Sequence, residues 1–219
     1  MKVAVILSGC GVRDGSEIHE AVTLLLALNQ GGHTVSVFAP DREQQLVIDH
    51  ASGRPTREKR NILSESARIA RGNIQALSAI DLSKFDAIAM PGGLGAVTNL
   101  CNFASMGSTC TVSPDISDVL TRANGRGLIL GFMCIAPVIA ARLFGAKGVK
   151  MTIGFEPDMV KACEIWGAKH QVCGAGEACV DESLRIVSTP AYMCAKSISE
   201  CYDSACALVR GMESLAAAK

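Results

Sequence analysis

Covalent chemistry in this chain falls most naturally to a cysteine set where an apolar strand turns into a helix. The run Leu128-Ile-Leu-Gly-Phe-Met-Cys134-Ile-Ala-Pro137 makes that passage within a few residues. A sharp strand-to-helix turn exposes a nucleophile and aims the next backbone N–H at the reacting carbonyl. A thiol there also faces the positive end of a helix, which favours thiolate. On spacing alone Cys134 reads equally as a nucleophile or as one more small buried residue, and its neighbours must decide.

Two further segments offer partners. Pro91-Gly92-Gly93-Leu94-Gly95 follows a strand-like run and lets the backbone approach a ligand closely. The Gly93 amide, beside that of Ile135, can act as an oxyanion donor, and Gly92 can line a substrate site. An ordinary tight turn uses the same residues. Ahead of both lies Ser8-Gly-Cys-Gly-Val-Arg-Asp-Gly-Ser-Glu17-Ile-His-Glu20, which leads into a helix that is apolar nearly all round. Glu20, in line with Leu24, is directed toward the strand ends and partly desolvated, which raises its pKa and suits a proton carrier. Acidic residues in a first helical turn also simply complement the dipole, and that is the reading for Glu17.

Histidine is scarce. His19 neighbours Glu20, but adjacent helical side chains point about 100° apart, so it reads as a surface or cap residue. His33 and His50 flank the second strand and the segment after it, and His170 is the imidazole with the best claim on a site. Gly9-x-Gly11 superficially suggests a dinucleotide loop, but the third glycine is out of register and two glutamates face the helix start where a pyrophosphate needs donors.

The 219 residues suffice for one domain with a substantial core. They are 49% hydrophobic, yet no apolar run reaches membrane-spanning length. Basic and acidic residues number 21 each, so no charge excess points to nucleic acid or an anionic membrane. Ten cysteines without a C-x-x-C pair, beside four histidines, argue against a zinc site. With no signal peptide at the start, free thiols in a reducing compartment are expected.

Strand-like runs occur at 3–7, 34–38, 87–90 and 128–132, with weaker ones near 151–153 and 185–187. Helical patterns cover 17–29, 61–71, 114–123, 137–144, 158–166 and 195–212. Ser113 before Pro114 reads as an N-cap. Continuous apolar strands are those covered on both faces, so the alternation predicts an α/β, doubly wound, mostly parallel sheet with helices on both faces. A single domain over 1–219 is expected, with 41–60 a surface insertion. Ligands in such sheets bind outside the carboxyl ends of the strands, where the three chemical segments fall.

Several long runs carry a resemblance. They are Ser8-Gly-Cys-Gly-Val-x-Asp-Gly-Ser-Glu-Ile-His-Glu-Ala21, Arg60-Asn-x-Leu-x-Glu-Ser-Ala-Arg-Ile-Ala-Arg-Gly72, Pro91-Gly-Gly-x-Gly-Ala96, Gly131-Phe-Met-Cys-Ile-Ala-Pro137 and Thr189-Pro-Ala-Tyr-Met193. Together they resemble the ElbB family and its mitochondrial animal relatives. That family sits in the class I glutamine amidotransferase-like superfamily, in the branch with PfpI and the parkinsonism-associated deglycase. The resemblance implies a flavodoxin-like sheet with a nucleophile elbow, a homodimer, Cys134 as nucleophile with Glu20 as its partner, and no metal or organic cofactor.

One position departs from the superfamily. A histidine expected after the next strand would fall near Gly154, and without it amide hydrolysis by a Cys-His pair loses its base. Chemistry needing a thiol, an oxyanion hole and one carboxyl survives. The resemblance therefore implies a glutathione-independent glyoxalase that converts a small dicarbonyl, glyoxal or methylglyoxal, to glycolate or lactate through a Cys134 hemithioacetal. The alternative is a redox-sensing or binding protein with a reactive cysteine. A third reading is an amidotransferase-like subunit with His170 as substitute base. The expected compartment is a bacterial cytoplasm, or the mitochondrial matrix after removal of a leader.

Overall fold

The apolar runs assemble into one seven-stranded sheet. The computed structural model describes residues 1–218. The strands are β1 (Lys2–Ile6), β2 (Thr34–Ala39), β3 (Gln75–Ala76), β4 (Ala87–Met90), β5 (Ile129–Met133), β6 (Cys179–Asp181) and β7 (Ile186–Thr189). Their order is β3-β2-β1-β4-β5-β7-β6, and every pair is parallel except β6 with β7. β4 and β5 are buried along their whole length, as strands covered on both faces must be.

The chain steps outward from β1 to β2 and β3, then jumps back to β4 and continues the other way. Right-handed crossovers in opposite directions put the connecting helices on opposite faces. Helices α1 (Ile18–Gln30) and α2 (Ile62–Ile69) lie on one side, joined by the C-terminal α6 (Ile198–Ala217), which packs along α1. On the other lie α3 (Pro114–Gly125), α4 (Pro137–Phe144) and α5 (Pro157–Ile165). This is the flavodoxin-like α/β fold, with its topological switch point between β1 and β4.

α1 starts where Glu17 caps it, its carboxylate accepting from the Glu20 amide at 2.7 Å. Ala21, Leu24, Ala27 and Leu28 then turn inward. Ser113 does occupy the cap position of α3, but its side chain makes no cap bond. The Ile116 amide bonds Asp115 Oδ1 instead, so the expected capping role passes to Asp115. α6 begins at Ile198 rather than 195, because residues 191–193 form a separate turn.

Two expectations are corrected. Residues 151–153 add no strand to the main sheet: Lys150–Met151 pairs with Lys169–His170 in a ladder of its own. The sheet ends instead in the short strands β3 and β6, which carry too few residues to show a period. The segment 41–60 is more than a surface excursion. It holds a small hairpin, Ile48–Asp49 against Arg54–Pro55, and its root is bolted down. Asp14 Oδ2 accepts from the Ile48 amide at 2.7 Å, Asn99 Oδ1 accepts from the Gln45 amide at 3.0 Å, and Asn99 Nδ2 donates to the Ser8 and Asp14 carbonyls at 2.9 Å each. All ten cysteines are free thiols, and no helix among the described residues is long and apolar enough to cross a membrane.

Candidate active site

β5 ends in a left-handed residue. Cys134 has φ +58°, a conformation that strains any residue with a Cβ and persists only where the surroundings enforce it. The register of β5 with β7 supplies the enforcement. Met133 lies opposite Thr189, and the Cys134 amide donates to the Thr189 carbonyl at 2.9 Å. The amides of Gly93 and Ile135 both donate toward the Cys134 sulfur, so the two expected oxyanion donors converge on one atom.

Glu20 meets this sulfur from α1. Its carboxyl is wholly buried and hydrogen-bonded to the Cys134 thiol. Gly92 N–H donates to Oε2 at 2.8 Å and Tyr192 N–H to Oε1 at 3.3 Å. Burial is the main reason its pKa is raised to about 7, with Glu17 adding repulsion and the thiol and the two amides opposing it. Burial, then the Glu20 charge, also pushes the Cys134 thiol well above its ordinary value, although the Gly93 and Ile135 amides pull the other way. The thiolate expected from the helix start is therefore not the resting form. The site instead holds a protonated thiol hydrogen-bonded to a carboxyl that loses its own proton first, at about 7.

Gly92 and Gly93 are constrained by contact. A Cβ on Gly92 would stand 2.5 Å from Cys134 Cβ and 2.8 Å from Glu20 Oε2. Gly93 has φ +92°, and a Cβ there would meet the Glu17 amide nitrogen at 2.3 Å. The expected substrate-lining role of Gly92 is corrected in one respect: its amide is already committed to Glu20, leaving the Gly93 and Ile135 amides as the donors at sulfur.

Glu17 acts as the cap of α1 and makes no bond to the thiol. His170 is not brought to Cys134. It lies in the short ladder beside the Gly154 backbone, its Nε2 buried without a partner and its pKa lowered chiefly by burial. Gly154 itself has φ +75°, and a Cβ there would come within 2.8 Å of Cys194 Sγ, so the place of the superfamily histidine is filled by neighbouring chain. The sequence reading missed Tyr192, whose amide grips Glu20, and Thr189, whose carbonyl fixes the elbow. Their position just after a predicted strand was the available signal.

A cavity of about 720 Å³ lies elsewhere, between Arg42, Leu46, Asn99, Cys101 and Ser113. Cys134 itself is buried, 7% exposed. Among the described residues no group of three or more His, Cys, Asp or Glu is arranged to hold a metal ion.

An elbow cysteine, a buried glutamate and a glycine turn at the switch point of a flavodoxin-like sheet define a class I glutamine amidotransferase-like domain. A protein of that description from Ehrlichia chaffeensis, an isoprenoid biosynthesis protein with amidotransferase-like domain, superposes with a TM-score of 0.90 at 32% identity, over 98% of this chain and 99% of that one. The chain is 44% identical to the ES1 protein homolog, mitochondrial, of Rattus norvegicus, over 95% of this chain and 82% of the relative. It is 43% identical to the glutamine amidotransferase-like class 1 domain-containing protein 3, mitochondrial, of Homo sapiens, over 95% and 81%. The chain belongs to this ElbB-like ES1 family of glutamine amidotransferase-like proteins. No family model matches it.

Proposed function

We propose that the protein is a glutathione-independent glyoxalase that converts glyoxal to glycolate and methylglyoxal to lactate. The observation that carries this reading is the buried Glu20 carboxyl bonded to the Cys134 thiol, its pKa raised to about 7, with two backbone amides aimed at the sulfur. Cys134 adds to the aldehyde carbon as its proton passes by way of Glu20 to the carbonyl oxygen, giving a hemithioacetal. The Gly93 and Ile135 amides stabilise the oxyanion as it forms. Glu20 then takes the proton from that carbon and returns it to the adjacent one through an enediol, leaving a thioester. Water cleaves the thioester, releasing the hydroxy acid and the thiol. One water is consumed, and no oxidant or reductant is needed. The tightly enclosed sulfur suits two- and three-carbon substrates.

The test is release of glycolate and lactate in thiol-free, amine-free buffer by wild type, Cys134→Ala and Glu20→Gln. Many turnovers by wild type, with losses of roughly 100-fold or more in both variants, support the reading. Product that never exceeds the amount of protein defeats it and favours a redox sensor in which Glu20 holds an oxidised Cys134. The lack of an imidazole bonded to Cys134 motivates that rival and weighs against amide hydrolysis. A homodimer is proposed as the working form, to be checked by light scattering. Both curated relatives carry "mitochondrial" in their names, which supports the matrix among the expected compartments.

A further inference from the structure

The Glu20 carboxyl is gripped unequally. Gly92, two residues beyond a fully buried strand, holds Oε2 at 2.8 Å, whereas Tyr192 holds Oε1 at 3.3 Å. Tyr192 stands in the turn after β7, and the residue before it, Ala191, is fully buried with φ +41°. A left-handed alanine is retained only under local constraint, and here it sits directly before the amide that faces Glu20. The phenol of Tyr192 is tied separately: its hydroxyl bonds His19 Nδ1 at 2.8 Å, with the two rings 5.9 Å apart and inclined by 48°.

These contacts close a ring. It runs from Glu20 to the Tyr192 amide, through the Tyr192 side chain to His19, and back along one peptide of α1 to Glu20. His19 itself is exposed, and its carbonyl accepts from Thr23 Oγ1 at 2.7 Å one turn on. The titratable groups that bear on Glu20 are Glu17 from the cap, Cys134 from the elbow, Cys201 from α6 and the Tyr192 phenol. None is a cation, so the Cys134 thiol and then the Gly92 and Tyr192 amides are what favour the ionised carboxylate.

We propose that Tyr192 is the positioning residue of the Glu20 carboxyl and that His19 is its anchor, the pair together holding that carboxyl in place against the Cys134 thiol. The inference rests on the Glu20–Cys134 pairing invoked above and is independent of which carbonyl is the substrate. Loosening the phenol lets the Tyr192 amide retreat from Oε1, which disfavours the ionised form and moves the titration of Glu20 upward.

The experiment is the pH titration of the Glu20 carboxyl, read from the carboxyl 13C NMR shift of glutamate-labelled protein and assigned by its loss in Glu20→Gln, in wild type, Tyr192→Phe, His19→Ala, the double variant and His19→Asn. Wild type is expected to inflect near 7, the value to which the Glu20 pKa is raised. Tyr192→Phe and His19→Ala are each expected to raise the inflection by about half a pH unit, roughly a threefold change in the ionisation constant. The double variant should move it no further than either single one, because both break the same tie. His19→Asn, whose short amide can stand near the place of Nδ1, should return the inflection toward wild type. An inflection unmoved in either single variant, or a double effect equal to the sum, overturns the proposal. A purely structural role would lower the melting temperature without moving the inflection, and that outcome also overturns it. Failure of the dicarbonyl reading looks different: product is absent while the Glu20 titration keeps its wild-type inflection and its response to the variants.

Discussion

Glu20 and Cys134 are hydrogen-bonded to each other across an intervening strand. The helix that carries Glu20 follows β1, the elbow follows β5, and β4 lies between them. They meet because the turn after β4 places Gly92 between them. A Cβ at that position would stand 2.5 Å from Cys134 Cβ and 2.8 Å from a Glu20 oxygen.

Glu20 accepts the thiol proton only when ionised. Product formation by wild type is therefore expected to rise with pH through about 7, the value to which burial raises the carboxyl. Glu20→Gln should lose both the rate and this inflection. A pH–rate profile of glycolate release from pH 5 to 9 checks it.

The same carboxyl weakens the fold at high pH. Its value is raised from 4.5 to about 7, so the folded state is favoured fully below 4.5 and loses that favour as pH rises through 7. Glu20→Gln is free of this loss. It should match wild type in stability near pH 4.5 and exceed it above pH 7 by up to roughly 3 kcal/mol, because each tenfold change in an ionisation constant is worth about 1.4 kcal/mol. Urea unfolding at a series of pH values provides the comparison.

Gly154→His puts an imidazole near where the family resemblance leads one to expect a histidine, yet it should not create an amidase. The backbone at φ +75° and the 2.8 Å approach to Cys194 Sγ leave no room for a side chain. The expected cost is about 1–2 kcal/mol for the left-handed backbone and about 1–3 kcal/mol for overpacking. A lowered melting temperature with no glutaminase activity is the predicted result.

Asn99→Ala should loosen the loop after β1 and the root of the hairpin together. Asn99 is buried and bonds the Ser8 and Asp14 carbonyls and the Gln45 amide. Gln44 Nε2 also serves the Asp14 carbonyl, so two groups, Ser8 O and Gln45 N–H, are left unsatisfied. A loss of about 2–4 kcal/mol follows, readable by denaturant titration.

Much of this arrangement is legible along the chain. The apolar runs around Val5, Ala89 and Leu130 declare buried parallel strands, because a strand covered on both faces has no polar positions to alternate. The elbow at Cys134 and the glycine turn at 92–93 are local devices, and their residue types announce them. The chain order of glutamate, glycine turn and cysteine is likewise a property of the sequence and carries the family resemblance.

What lies beyond that reading depends on groups distant in sequence. The sheet register, not the strand itself, sets the Thr189 carbonyl against the Cys134 amide and brings Tyr192 to Glu20. Burial of the Glu20–Cys134 pair, a sum over several packed elements, decides that the carboxyl titrates near 7 and that the thiol is not a resting thiolate. The strands β3 and β6 are too short to carry a pattern and exist because a neighbouring strand offers them hydrogen bonds. Residue type and spacing thus determined which groups this protein has for chemistry, while desolvation and long-range pairing decided which of them meet and in what protonation state.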